Sequence, residues 1–279
     1  MPLRLLGGVH YLSLTGEAPD AFDSWERLSA VLDQHAESLA RFVAERPIQT
    51  NEVQRSWVLL PCFLEVASRT GTEAFDLIEL GPSAGLNLVW DGYRYRYEAG
   101  GWGSPDAPLE LGGEERRAIP ESLLRLAPRV GRRVGVDINP VDASTDEGAR
   151  LLKSFVWADQ VDRLRRLDRA IEALRADPPE LVQGDFVELL PGLLANRRPG
   201  VLTVVFQTGT LGYLSPEQRS RLRSTLEEAG AAGPLAFVST GGPRVQGATY
   251  WGVSLQTWPG ERELVAEADF HGSWLEWLA

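Results

Sequence analysis

Several things are scarce in this chain, and each scarcity excludes something. A single cysteine, Cys62, stands among 279 residues. It rules out an internal disulfide and a cysteine-built zinc cluster. The only lysine is Lys153; the remaining positive charge is arginine, a skew that fits a GC-rich genome better than a function. Apolar runs are too short to span a bilayer. Met1 to Leu14 is apolar in patches, with Arg4 as its one positive lead and no cleavage site, so no secretory signal is expected. The reading is a reduced, cytoplasmic protein with no membrane partner. Positive surface is lacking too. A net charge of −11 argues against nucleic acid as a partner, since binding it requires cations that displace counterions. His10 and His35 have no partners at ligand spacing, so no metal site is expected, and no Ser-His-Asp or Cys-His arrangement is visible.

What is present begins with Phe75 to Leu88. An apolar run, Phe75–Leu80, reads as a short buried strand with an acid, Glu79, near its end. It breaks into Gly81-Pro82-Ser83-Ala84-Gly85, and Leu86 to Trp90 then reads as a helix start. Strand, glycine turn and helix together make a nucleotide-binding loop. Further strands are expected at Arg133–Ile138, Glu180–Gln183, Val201–Phe206 and Leu235–Ser239. Helices between them are expected at Glu147–Phe155, Gln160–Ala176, Phe186–Leu194 and Pro216–Glu228. Such alternation implies an α/β fold with a doubly wound, mostly parallel sheet. The chain finishes differently. Tyr250–Thr257 and Glu263–Phe270, joined by Trp258-Pro259-Gly260-Glu261, read as a closing antiparallel hairpin, which brings the sheet to seven strands.

Two elements lie outside the alternation. Helices at Phe22–Glu45, capped by Asp20, and at Asn51–Ser68 precede the first strand and form an N-terminal cap over residues 1–72. Residues 73–279 form the α/β domain. Within it, Tyr93-Arg94-Tyr95-Arg96-Tyr97 alternates with period two and opens an inserted β-hairpin, or flap, near residues 93–118.

Ligands of open α/β sheets sit beyond the carboxyl ends of the strands, and three of these strands end in or beside an acid. Glu79 ends the first, Asp137 the second, and Asp185 follows the third. Asp137 suits the two hydroxyls of a ribose. Asp185 suits an adenine amino group, with Phe186 against the ring. Three carboxylates around one pocket attract a cationic ligand and repel phosphates. S-adenosylmethionine has an ammonium, a sulfonium and no phosphate. A dinucleotide prefers glycine where Ser83 stands. The expected cofactor contacts are therefore Glu79, Gly81, Ser83, Ala84, Gly85, Asn87, Asp137, Ile138, Asp185, Phe186 and Gln207.

The matching stretches Gln49–Arg55, Glu79–Leu88, Trp90–Tyr95, Asp137–Asp142 and His271–Trp277 resemble a bacterial domain-of-unknown-function family with the class I S-adenosylmethionine-dependent methyltransferase fold. The resemblance implies that fold, Rossmann-like, from Phe75 onward, and that cofactor. It brings no known substrate; a small-molecule acceptor is expected. Family members carry more helix before the position of Leu5, which implies that part of the cap precedes this start.

Methyl transfer is an in-line displacement in which positioning does much of the work. Gln207, Thr208 and Tyr213 follow the fourth strand and are candidates to hold the acceptor, or else they satisfy backbone groups at a strand end. His271 is the general-base candidate by residue type, or a structural histidine. Asn51, Glu52 and Arg55, with Gln49, either meet cofactor and substrate or cap a helix. Asp91, Tyr93 and Tyr95 either face the acceptor from the flap or pack in the core. Rival readings are an NAD(P)-dependent oxidoreductase and a non-catalytic nucleotide-binding or regulatory module on the same fold.

Overall fold

The computed structural model describes residues 2–241 and 249–279. Four helices come first: α1 (Pro2–Thr15), α2 (Trp25–Gln34), α3 (Ala36–Glu45) and α4 (Arg55–Thr70). The first strand, β1 (Ala74–Leu80), is followed by an insertion holding β2 (Arg94–Tyr97), β3 (Gly100–Trp102), β4 (Glu110–Gly112), β5 (Glu114–Arg117) and the short helix α5 (Glu121–Leu124). Strands and helices then alternate as β6 (Arg129–Asp137), α6 (Asp146–Ser154), α7 (Val161–Ala176), β7 (Glu180–Gln183), α8 (Phe186–Ala195), β8 (Leu202–Thr208), α9 (Pro216–Ala232) and β9 (Leu235–Gly241). The chain ends in β10 (Tyr250–Thr257), β11 (Glu263–Asp269) and β12 (Trp274–Trp277).

The fold is mixed α/β around a nine-stranded sheet, ordered β5-β12-β11-β10-β9-β8-β1-β6-β7. Strands β7, β6, β1, β8 and β9 run parallel. From β9 the sheet continues through β10 and β11 to β12 as an antiparallel meander. The expected hairpin is present, but the sheet has nine strands where seven were expected. The two extra strands gave no apolar period to read: β5 is Glu-Glu-Arg-Arg, and β12 has only four residues. β5 pairs in parallel with β12, and Arg116 lies 3.6 Å over the Trp274 ring. A short, charged outer strand of this kind blunts the sheet edge against pairing with other chains.

Burial explains why the inner strands form. Side chains alternate across a strand, so Phe75 and Leu77 of β1 enter one apolar cluster and Ile78 and Leu80 enter another. The first cluster takes in α4, α6 and α7; the second takes in α8 and α9. Helix α4 is therefore part of the central packing rather than of a separate cap. Its Trp57 is fully buried, stacks on Tyr97 at 5.3 Å and donates its indole N–H to Arg96 O. Burying a ring of that size stabilises by about 2–3 kcal/mol. Burial also pushes the Cys62 thiol up to about 12, which leaves it inert.

The N-terminal region holds one helix that was not expected, and the two expected ones differ in their bounds. Pro2–Thr15 is a helix despite Gly7 and Gly8, which disfavour one locally. Those glycines permit close packing: a Cβ on Gly8 would lie 2.9 Å from Leu39 Cδ2, and one on Gly7 would lie 3.1 Å from the Phe155 ring. Phe22–Glu45 is two helices broken at His35, whose backbone leaves the helical region, and Ser24 caps the first in place of Asp20. The second expected helix starts at Arg55, because Asn51 and Glu52 send their side chains to distant partners.

The expected inserted hairpin is present, since β2 pairs antiparallel with β3, but its tyrosines do not face a ligand. β2, β3 and β4 form a small separate sheet, and its tyrosines point into the core. Tyr93 donates to Leu86 O at 2.7 Å, Tyr95 to Trp90 O at 2.8 Å, and Tyr97 to Trp57 O. Tyr93 and Tyr95 are wholly buried, so neither can face an acceptor. Tyr93→Phe strands one buried carbonyl and is expected to lower stability by about 1–2 kcal/mol. Urea unfolding checks this, and ligand affinity should stay unchanged.

Candidate functional site

Parallel neighbours end at a common rim, and register brings the three acids there. Glu79 pairs with Gly135, and Asp137 pairs with Gln183, two residues before Asp185. The acids are thus staggered along the rim: Asp137 lies two residues beyond the partner of Glu79, and Asp185 lies two residues beyond the partner of Asp137, at the start of α8. Gly184 N donates to Asp137 O at 2.8 Å. The glycine loop crosses this rim with positive φ at Gly81 (75°), Ser83 (56°) and Gly85 (79°). Only glycine adopts that region freely, so Ser83 is held there by its contacts. Gly81 is also required sterically, since a Cβ would lie 2.4 Å from Thr210 Cγ2.

No α-helix follows the loop. Residues 86–89 form turns, and Trp90–Gly92 is one 3-10 turn. Leu86, Leu88, Val89 and Trp90 are all buried, so core packing competes successfully with helix formation. A helix N-terminus aimed at the loop, the usual phosphate cradle, is accordingly absent from residues 86–92.

Glu79 is the electrostatic centre of the site. Burial pushes its carboxyl up to about 8, and the Asp137 charge adds to this; a hydrogen bond from Asn87 and the charge of Arg55 oppose it. Ser56 orients Asn87 by donating to its Oδ1 at 2.8 Å. Glu79 Oε2 and Asn51 Oδ1 are both buried acceptors without a partner, an arrangement costly enough to call for explanation. Ala84 is fully buried behind the loop.

The other two acids already hold protein groups. Asp137 accepts from Ser83 N and Asn139 N, both at 2.8 Å; each oxygen keeps a second lone pair for a ligand. Asp185 caps α8 by accepting from Val187 N at 2.8 Å. Beside them Ile138 is 62% exposed, an apolar surface at the rim. Phe186 is buried with Val187 and Leu190 in the second cluster, so its ring has no free face for a base.

The segment before α4 straps the rim. Ser83 Oγ donates to Gln49 Oε1 at 2.6 Å, Gln49 Nε2 donates to Asn139 O at 2.8 Å, and Asn51 Nδ2 donates to Pro82 O. Glu52 is buried and pairs at 2.8 Å with Arg163 of α7, a partner no local pattern announced. Arg55 Nε donates to Phe270 O at 3.0 Å, its Nη1 reaches Thr208 O and Oγ1 at 3.4 Å, and its guanidinium lies 4.7 Å over the Trp251 ring. The residues at the start of this helix are thus brought to the same end of the sheet as the acids.

The remaining expected residues divide. Thr208 belongs to the Arg55 cluster. Gln207 is fully buried and spent: its Nε2 donates to Ser239 Oγ and Thr240 O, and its Oε1 accepts from Thr210 N at 2.9 Å. It shapes the turn after β8 and has no amide group left for an acceptor. Tyr213 is 91% exposed. His271 is exposed as well, and only its backbone N–H is engaged, by Asp269. Asp91 does not reach the rim. It pairs with Arg133 at 2.7 Å and borders a hollow with Pro128 and Val130, at the start of β6.

The chain matches, over residues 1–277, the family described as "Uncharacterized protein conserved in bacteria (DUF2332)", and it belongs to that family. No curated protein and no solved structure matches it. None of the helices among the described residues is long and apolar enough to cross a membrane.

The raised Glu79 has a consequence for stability. A carboxyl whose folded value exceeds its unfolded one favours folding below the unfolded value, and that contribution is lost as pH rises through the folded value. The window therefore runs from about 4.5 to about 8. Glu79→Gln removes the dependence, and the variant is expected to gain on the order of 3–5 kcal/mol over the parent at pH 8. Urea midpoints measured across pH 5 to 9 check it; parallel curves for the two proteins would contradict it.

Proposed function

We propose that this protein is an S-adenosylmethionine-dependent methyltransferase of the class I, Rossmann-like kind, acting on a small molecule. The observation that carries the reading is the rim itself. Glu79 and Asp137 lie at the ends of adjacent strands beside the glycine loop, Asp185 follows the next strand, and two buried acceptors, Glu79 Oε2 and Asn51 Oδ1, lack partners among the described residues. Acceptors without protein donors suit a ligand that brings its own, and an ammonium group brings three. The cofactor, when bound, supplies an electrophilic methyl on sulfur.

The chain's residues then take definite parts. Glu79 and Asn51 would receive the ammonium. Asp137 would use its remaining lone pairs for ribose hydroxyls. Ile138 would offer the apolar wall for the base, with Asp185 beside it. Arg55, pinned between Thr208, Phe270 and Trp251, would orient an acceptor at the β8 side. Gln207 is spent on protein groups, and Tyr213 and His271 stand exposed, so the acceleration would rest on alignment and on excluding water.

A nicotinamide dinucleotide suits the rim less well. Its pyrophosphate would meet carboxylates and find no α-helix N-terminus after the loop. The exposure of Tyr213 and His271 and the full engagement of Gln207 favour a second reading, a member that binds the cofactor without turning over. Methyl transfer from labelled cofactor to a panel of small acceptors separates the two.

Binding is tested by isothermal titration with S-adenosylmethionine and S-adenosylhomocysteine. Because Glu79 must lose its proton to receive a cation, affinity is expected to rise from pH 6 to pH 8, with proton release visible as a buffer-dependent heat. Glu79→Gln is expected to weaken binding by about tenfold or more and to flatten that pH dependence. No saturable binding of either compound at pH 8 would overturn the proposal.

A further inference from the structure

A cavity lies away from the acidic rim, over the α9 side of β9 and β10. It measures about 990 Å³. Leu222, Leu226, Phe237 and Trp258 give it an apolar wall, and Arg219, Arg223 and Arg262 give it positive charge. Among the described residues, its walls come from α9, β9, β10 and the turn before β11.

The arginines are unusual for this molecule. Acids outnumber bases 39 to 28, and most surface arginines have found a carboxylate; Arg221, on the same helix, pairs with Glu188 at 2.7 Å. Arg219, Arg223 and Arg262 make no ion pair among the described residues. Arg219 Nε donates to Leu211 O and Arg262 Nε to Ser254 Oγ. Two acids border the cavity, Glu227 and Glu261, yet Glu227 accepts the Trp258 indole N–H at 2.9 Å. Residues 242–248 contain no acid. Arg223 and Arg262 repel each other closely enough that burial and this repulsion together press Arg262 below its usual value. Clustered guanidinium groups with unused donors, beside an apolar wall, match a ligand with an anionic head and an apolar body.

We propose that this cavity binds a small organic anion, its carboxylate or phosphate on Arg223 and Arg262 and its apolar body against Leu226, Phe237 and Trp258. The site is separate from the cofactor rim and does not rest on the methyltransferase reading. It approaches that rim where Trp251 and Phe270, which also hold Arg55, and the turn after β8, whose Thr210 donates to Leu80 O, border the cavity.

The test uses calorimetric titration of the intact protein, without cofactor, with 4-phenylbutanoate and its neutral amide. The acid is expected to bind saturably and the amide about tenfold more weakly or worse. Arg223→Gln and Arg262→Gln, separately and together, are expected to erase this preference, whereas Arg221→Gln keeps it. Far-UV circular dichroism of each variant establishes folding, and either single substitution suffices if the double one unfolds. Absence of saturable binding of the acid, equal binding of acid and amide, or a preference that survives Arg262→Gln and Arg223→Gln would each overturn the proposal.

Discussion

A carboxyl group buried at the end of the central strand sets the terms for everything around it. Glu79 is enclosed on every side by protein, and an ion in such a place is expensive unless it is paired and hydrogen-bonded. The surroundings answer only in part. Asn87 is turned towards it by Ser56, and Arg55 stands near enough to help but is tied to Thr208, Phe270 and the Trp251 ring. Both supporting groups come from strictly placed backbone. Asn87 lies in the turn that replaces a helix after the glycine loop, and Arg55 begins α4 directly after the strap. The irregular backbone on either side of β1 is what puts polar groups within reach of that one acid.

This arrangement explains which parts of the molecule could be read from residues alone. The inner strands and α6 to α9 were legible because each buries a short apolar run or a clean amphipathic face, and their periods show locally. The acids at strand ends were legible because parallel strands necessarily share a rim. What failed to show depends on long-range contacts. Leu86 to Trp90 has helix-compatible residues, yet the core claims all of its apolar side chains. Phe186 follows an acid at a strand end and looks available, but α8 needs it for packing. Tyr93 and Tyr95 sit on an alternating strand whose inner face happens to be the core. The bond between Glu52 and Arg163 joins elements that no spacing relates. Gln207 looked like a ligand-holding group, and only the register of β8 against β9 reveals that Ser239 and Thr240 consume it.

Charge is distributed with a similar economy. Acids lie at the ends of β1 and β6 and just after β7, while α9 and the turn before β11 carry arginines that form no ion pair among the described residues. The two regions lie on opposite sides of β8 and meet at Trp251, Phe270 and the turn after β8. A molecule with a large overall negative charge thus keeps one concentrated positive patch inside a hollow, where solvent screening is weaker than on open surface.

The pairing of β5 with β12 reaches beyond shielding an edge. β5 belongs to the connection between β1 and β6, on the far flank of the sheet, yet it closes the opposite border against the last strand of the chain. The connection therefore runs the breadth of the molecule and ends as its outermost rung. Contacts so distant along the chain form late, since a long loop must be ordered before they give anything back. During synthesis the insertion would wait, unanchored on that border, until the final residues emerge. The insertion and β12 thus hold each other in place, beside Trp57, whose ring stands 2.8 Å from where a Cβ on Gly113 would lie.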